Sequence, residues 1–266
     1  MSDDLQPVAP MLRNAMRAST PARIGLERSG TSIATRDQLD FQLAHAQARD
    51  AVQAALDVRS LMDALGGRGL DCVALQSAVG NGSDAKAVRR NYLRRPDLGR
   101  KLHPDSAALL QQTSSRGADI VFILADGLSA LAVERHALPL MDALLPLIEA
   151  SLPLVAAMER MAPVCVVTQA RVAIGDEIGG LLGARLSVLL IGERPGLSSP
   201  DSLGAYLTWD PRPGRSDAER NCVSNIRMEG LSYAEAAQRL AHLISESRRL
   251  RLSGVALKDA SPALPA

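Results

Sequence analysis

Aromatic residues are scarce: Phe41, Phe122, Tyr92, Tyr206, Tyr233 and Trp209 are all that 266 residues supply. A protein that stacks on nucleobases needs more such platforms. The balance of 30 Lys+Arg against 29 Asp+Glu, with no sustained basic face, removes the other half of a nucleic-acid footprint. Three cysteines, Cys72, Cys165 and Cys222, are an odd number without metal-ligand spacing, which fits a reduced compartment rather than a disulfide framework. No apolar run approaches the ~18 residues of a membrane span. The start, MSDDLQPVAP, lacks the basic-plus-apolar opening of a secretory signal. Together these absences predict a soluble, cytoplasmic protein, long enough to bury a sizeable core.

What is present divides into three stretches. Residues 1–34 read as an extended arm, because Pro7, Pro10, Pro21, Gly25 and Gly30 interrupt any periodicity. Residues 35–100 read as mainly helical. Thr35 and Gln38 fit a capping box, and Leu39, Leu43, Ala46, Ala54, Val58, Leu61 and Leu65 predict one long amphipathic helix stopped at Gly66-Gly67. A strand is expected within Leu70–Val79, then the turn Gly80-Asn81-Gly82-Ser83 and a basic helix from Asp84 to Leu93. Arg94–Arg100 reads as a charged connector.

Residues 101–266 carry the α/β pattern. His103-Pro104-Asp105 can open a helix. Asp119–Ala125, Val164–Gln169 and Leu186–Ile191 are continuous apolar runs, as parallel strands covered on both faces require. Helical sequence resumes at Leu128, with Pro139 and Pro146 expected to divide it. Another helix opens at Gly175-Asp176, and Ala205–Thr208 reads as a fourth strand. Ser232 and Glu235 form a second capping box before a helix ending at Gly254, and the tail Ser261–Pro265 is expected to fray. The predicted fold is α/β: a mostly parallel, Rossmann-like sheet flanked by helices and preceded by a helical N-terminal region.

In such sheets ligands sit at the carboxyl ends of the strands. Asp126-Gly127 stands at one of these ends and reads either as ligand-facing or as an ordinary turn pair. Asp176 and Glu177 occupy a first helical turn, where acids complement the dipole but repel a phosphate; Asp176 therefore reads as a structural N-terminus. Gly175 and Gly179 permit close packing of that helix on the sheet. Glu193 follows the Leu186–Ile191 strand and is either an acceptor for amide donors or a surface acid paired to Arg194. Cys222, with no histidine nearby in sequence, reads as a packing residue rather than a nucleophile. The four histidines are scattered, Ser198, Ser199 and Ser202 lack a nucleophile elbow, and no G-x-G-x-x-G follows a strand.

The wording of several blocks is more specific than the pattern. VAIGDEIG, GERPGLSSPDSLG, RNCVSNI and YLRRPDLGR resemble the small (light) subunit of ethanolamine ammonia-lyase. The likeness runs over roughly residues 11–259 and is densest from 119 to 259. It implies a subunit of an enzyme that converts ethanolamine to acetaldehyde and ammonia with adenosylcobalamin, inactive without a large subunit that holds the substrate. Carried over by motif, cobalamin contacts fall on Val172 in QARVAIGDE, Glu193 in GERPG and Cys222 in RNCVSN, with no catalytic residue and no protein metal ligand in this chain. No D-x-H-x-x-G occurs, so the resemblance implies that the coenzyme keeps its own dimethylbenzimidazole ligand. Some family members begin with a helix that targets a bacterial microcompartment; Met1–Pro10 is short, acidic and Pro-containing, and departs from that pattern. The alternatives are a stand-alone doubly wound nucleotide-binding enzyme and a ligand-free assembly subunit.

Overall fold

The computed structural model describes residues 10–80, 82, 84–112, 117–151 and 161–258; Met1–Ala9, the expected turn residues Asn81 and Ser83, and the tail Ser261–Pro265 lie outside the described residues. The arm is not wholly extended. Pro10–Ala18 is helical (α1), and a minimal hairpin joins Arg28–Ser29 (β1) to Ser32–Ile33 (β2) through Gly30, whose φ of +60° suits glycine in a tight turn. Pro10 sits at the first helical position, where its missing N–H costs nothing.

The long helix expected over 39–65 is two: Thr35–Gln53 (α2) and Val58–Gly66 (α3). Asp57 makes the break. Its carboxylate accepts from the Ser60 N–H (3.0 Å) and hydroxyl (2.7 Å), while its own N–H donates to Glu134 (2.9 Å). The kink turns Leu56 into the core. The capping box at Thr35 does not form: Ala34 is the cap, and the Gln38 N–H bonds to its carbonyl at 3.1 Å. Thr35 already has helical backbone, so its hydroxyl cannot cap.

Next come Cys72–Gln76 (β3), Ala85–Arg94 (α4, capped by Asp84) and Pro104–Gln112 (α5). They lead into Ile120–Ala125 (β4) and Ala130–Ser151 (α6). Pro139 and Pro146 do not divide α6. The carbonyls they leave unbonded belong to Arg135 and Asp142, both on the exposed side where water replaces the lost donor. The stripe Leu140, Met141, Leu144 and Ile148 meanwhile stays buried. At about 1.5–3 kcal/mol per buried side chain, that stripe outweighs about 3 kcal/mol for each interior proline.

Val164–Thr168 (β5), Ile174–Leu182 (α7) and Leu186–Gly192 (β6) complete the parallel part. Leu203–Trp209 (β7) and Arg220–Ile226 (β8) follow as an antiparallel pair, and Tyr233–Leu250 (α8) closes the chain with both halves of its Ser232–Glu235 capping box formed. Arg251, in left-handed backbone, caps α8; Gly254 instead opens a short turn beyond it. The sheet order is β3-β5-β4-β6-β7-β8, with β3 to β6 parallel. β3, drawn from the 35–100 stretch, thus joins the same sheet as the strands after it.

Alternate residues of each central strand face opposite layers. Phe122, Leu124, Val166 and Val188 meet α3, α6 and α8; Val121, Ile123, Val167 and Leu189 meet α5 and α7. The chain leaves β4 for one layer and β5 for the other, so the crevice of a doubly wound sheet falls between the carboxyl ends of these two strands.

Candidate functional site

Asp126 stands at the end of β4, 1% exposed. Its carboxylate accepts the backbone N–H of Gln169 (2.9 Å) and Ala170 (3.1 Å), just past β5. It therefore bridges the two strands at the crevice rather than facing outward. Gln169 is held at φ +57°, a conformation that costs a non-glycine residue roughly 1–2 kcal/mol, and the two bonds to Asp126 offset that cost.

Behind Asp126 lies the buried guanidinium of Arg89, 3.8 Å away. Arg89 donates to the carbonyls of Val52 (2.6 Å), Gly127 (3.3 Å) and Leu128 (3.2 Å), tying the end of α2 to the rim. Tyr92 is stacked between Arg89 and Arg171, at 4.7 and 4.2 Å from the ring centre, and its hydroxyl donates to the Ala170 carbonyl at 2.8 Å. Two cations on one desolvated ring strengthen the stack.

Burial pushes the Asp126 carboxyl up to about 6, against the pull of the Gln169 and Ala170 N–H groups and of Arg89. That lies above the ~3.9 of an unfolded aspartate, so the folded chain holds the proton more firmly. The stability from this group is fully present below about pH 4 and lost as pH rises through about 6, by up to about 3 kcal/mol (two units at about 1.4 kcal/mol each). Urea denaturation at about pH 5 and about pH 7 should show a loss in the wild type that Asp126→Asn lacks. Equal pH profiles would refute this.

A cavity of about 280 Å³ opens on this rim, lined by Tyr92, Gly127, Arg171, Val172, Glu193 and Tyr206 among others. Val172 and Glu193 thus share one cavity. Glu193 is not paired to Arg194 in any described ion pair. Its Oε2 accepts from the Ser202 hydroxyl and, at 3.2 Å, from the Asn225 N–H. Asn225, at φ +60°, lies where β8 carries an extra residue against β7, and this bulge delivers the N–H to Glu193. Cys222 does not line the cavity; it is exposed and stands across the ladder from Tyr206. Loss of water around its sulfur, with the Glu193 charge nearby, pushes the thiol pKa up, away from a thiolate.

Asp176 pairs with Arg220 through both carboxylate oxygens, one at 2.8 Å, between the first turn of α7 and the start of β8, and neither residue lines the cavity. Gly175 rests on Ile123 and Leu189 of the sheet, whereas Gly179 meets Pro211: a Cβ there would lie 2.4 Å from its ring. Sequence reasoning missed Arg89, Tyr92 and Arg171. The only local signal was a cation three residues before an aromatic in a helix. Among the described residues no cluster of His, Cys, Asp and Glu can hold a metal ion.

Two residues of the cavity wall, Arg171 and Glu193, carry polar atoms without a partner among the described residues, and so does Gln169, which does not line the cavity. The Nε of Arg171 and the Oε1 of Gln169 are buried without a hydrogen-bond partner, and Glu193 Oε1 accepts no hydrogen bond among the described residues. A guanidinium donor and a carboxylate acceptor on the wall suit the amide side chains that fringe a corrin, and Val172 supplies an apolar wall.

The fold and rim define a doubly wound α/β protein with a crevice at its strand ends. The chain belongs to the ethanolamine ammonia-lyase small-subunit family and is a subunit of a carbon–nitrogen lyase: residues 12–258 match the model described as ethanolamine ammonia-lyase light chain (EutC). The ethanolamine ammonia-lyase small subunit of Pseudomonas putida (strain GB-1) is 53% identical over 92% of this chain and 86% of its own length. That of Azotobacter vinelandii (strain DJ) is 53% identical over 92% and 87%. That of Pseudomonas fluorescens (strain Pf0-1) is 54% identical over 92% and 85%. The name "small subunit" implies a large-subunit partner. No described helix is long and apolar enough to cross a membrane.

Proposed function

We propose that this chain supplies one side of the adenosylcobalamin site of an ethanolamine ammonia-lyase, while the large subunit completes that site and holds the ethanolamine. The observation that carries the reading is the convergence on one cavity of Arg171, whose Nε has no hydrogen-bond partner among the described residues, Glu193 and the Val172 wall. Size agrees. A pocket that encloses a whole drug-sized ligand measures roughly 300–1,000 Å³, and about 280 Å³ takes only one edge of a corrin.

When bound, adenosylcobalamin supplies radical chemistry through its cobalt–carbon bond, from which the pair of subunits makes acetaldehyde and ammonia. This chain's residues orient it. Arg171 donates to an amide carbonyl, Glu193 accepts an amide N–H group, and Cys222 with Tyr206 stiffens the outer wall. Residues 101–266 carry most of this rim, with Tyr92 contributed from the 35–100 region. The reading accommodates the pair either free in the cytoplasm or within a bacterial microcompartment.

The test is coenzyme affinity in the reconstituted pair, measured by equilibrium dialysis. A hydrogen bond to a charged group contributes about 1.5–3 kcal/mol, so Glu193→Ala and Arg171→Met should each weaken adenosylcobalamin binding about tenfold or more. The KM for ethanolamine should stay near the wild-type value, and Cys222→Ala should change little. Unaltered coenzyme affinity in both variants would favour a ligand-free assembly subunit.

A further inference from the structure

At the opposite end of the sheet, where β4 and β6 begin and β7 ends, lies a groove of about 840 Å³. Five arginines line it: Arg185, Arg212, Arg215, Arg248 and Arg251. They converge in pairs. Arg185 (3.5 Å) and Arg248 (3.4 Å) share Asp119, while Arg212 (3.4 Å) and Arg215 (2.8 Å) share Asp210. Arg215 also reaches Glu219. Five guanidiniums thus face three carboxylates, which leaves two positive charges in a chain whose net charge is only +1.

Helix ends do not absorb that surplus. The last turn of α7 points carbonyls this way, but those of Gly179, Gly180 and Leu182 already accept from Ala184, Gly183 and Gly117. The end of α8 contributes roughly half a negative charge, less than the surplus. Trp209, the only tryptophan, adds a flat apolar wall.

We propose that this groove is an anion site that takes a phosphate group from solution. A phosphate monoester carries about −1.5 to −2 charges at one centre, matching the uncompensated charge. Its oxygens suit the planar, forked donors of arginine better than a point cation. A carboxylate brings a single charge, as Asp119 and Asp210 already do.

The site is independent of the coenzyme, so its test uses cobalamin-free protein. Pyrophosphate, inorganic phosphate and glycerol 3-phosphate are titrated into the full chain, followed by Trp209 emission, and into its pair with the large subunit, followed by calorimetry. Saturable binding is expected in both, together with a rise in unfolding temperature on adding pyrophosphate. Arg185→Glu combined with Arg251→Glu should weaken binding at least tenfold and abolish that rise. Arg249→Glu makes the same kind of charge change at a residue that pairs with Glu246 and does not line the groove, and should leave binding intact. Preference for anionic phospholipid vesicles over soluble phosphates would keep the chemistry and move its source to a membrane headgroup.

Four results would overturn the proposal: no saturable binding, an equal loss in Arg249→Glu, displacement of pyrophosphate by oligoglutamate at lower concentration, or binding blocked by the large subunit. The last two would make the groove a protein interface.

Discussion

Asp176→Ala is expected to destabilise the chain by about 3–5 kcal/mol, the usual cost of removing one partner from a buried ion pair. The carboxylate of Asp176 and the guanidinium of Arg220 are 2% and 3% exposed. Arg220 also donates to the Arg215 carbonyl at 2.7 Å and touches Thr208 and Asp217. None of these neighbours can replace the lost double contact, because Asp217 is fully exposed and reached only at 3.4 Å. The pair joins the first turn of α7 to the start of β8, so losing it loosens the antiparallel edge from the parallel sheet. For a chain of this size roughly 2–4 °C accompanies each kcal/mol, so thermal unfolding should fall by about 10 °C. Replacing both partners, Asp176→Leu with Arg220→Met, should recover most of the loss, since no charge then stays buried alone. A single variant within about 1 kcal/mol of wild type would show that water reaches Arg220.

That pair shows where reading a sequence stops. The first helical turn at Gly175-Asp176 was legible, and an acid there suits the helix dipole. The partner, 44 residues on, was not, since nothing local marks Arg220 as buried. The central strands were legible because IVFILA, VCVVT and LSVLLIG are covered on both sides and so are apolar but for Thr168 and Ser187. Strand β8 escaped because apolar residues do not alternate along it: Arg220 and Val223 are buried on opposite faces, and the bulge brings Ile226 back to the face of Val223. The prolines of α6 and the break before α3 misled for a related reason. Helix continuity there was decided by which carbonyls face water and which leucines face the core, properties of the packed molecule. At the site, the strand-end rule pointed to Glu193 and the family resemblance to Val172, and both line one cavity, whereas the Arg89–Tyr92–Arg171 stack joins α4 to the loop after β5 through contacts with almost no local trace.

The rim also rests on an approach between backbones that only glycine allows, and Gly192→Ala should therefore have the largest effect on function. A Cβ on Gly192 would lie 2.0 Å from the Ser129 carbonyl oxygen and 2.6 Å from that of Asp126. Both are backbone atoms, so no side-chain rotation relieves the clash. The end of β6 must move away from the β4–α6 turn, stretching the Leu128 N–H bond to the Gly192 carbonyl, now 3.0 Å. It carries Glu193 with it, and Glu193 cannot move without straining its bonds to Ser202 and Asn225. Overpacking of this kind costs about 1–3 kcal/mol, which the chain can survive folded. A displacement of order 1 Å at a positioning residue, however, costs roughly 10²-fold in turnover. The expected result for the reconstituted pair is thus a folded variant with coenzyme-dependent ammonia release about 10²-fold down and weakened adenosylcobalamin binding. Gly196→Ala is the control, because its Cβ would approach nothing closer than Ser199 Oγ at 3.4 Å. It should retain wild-type activity. If Gly192→Ala folds and turns over normally while Glu193 is shown to have shifted, the coenzyme does not depend on this rim, and the proposed role of Glu193 fails with it.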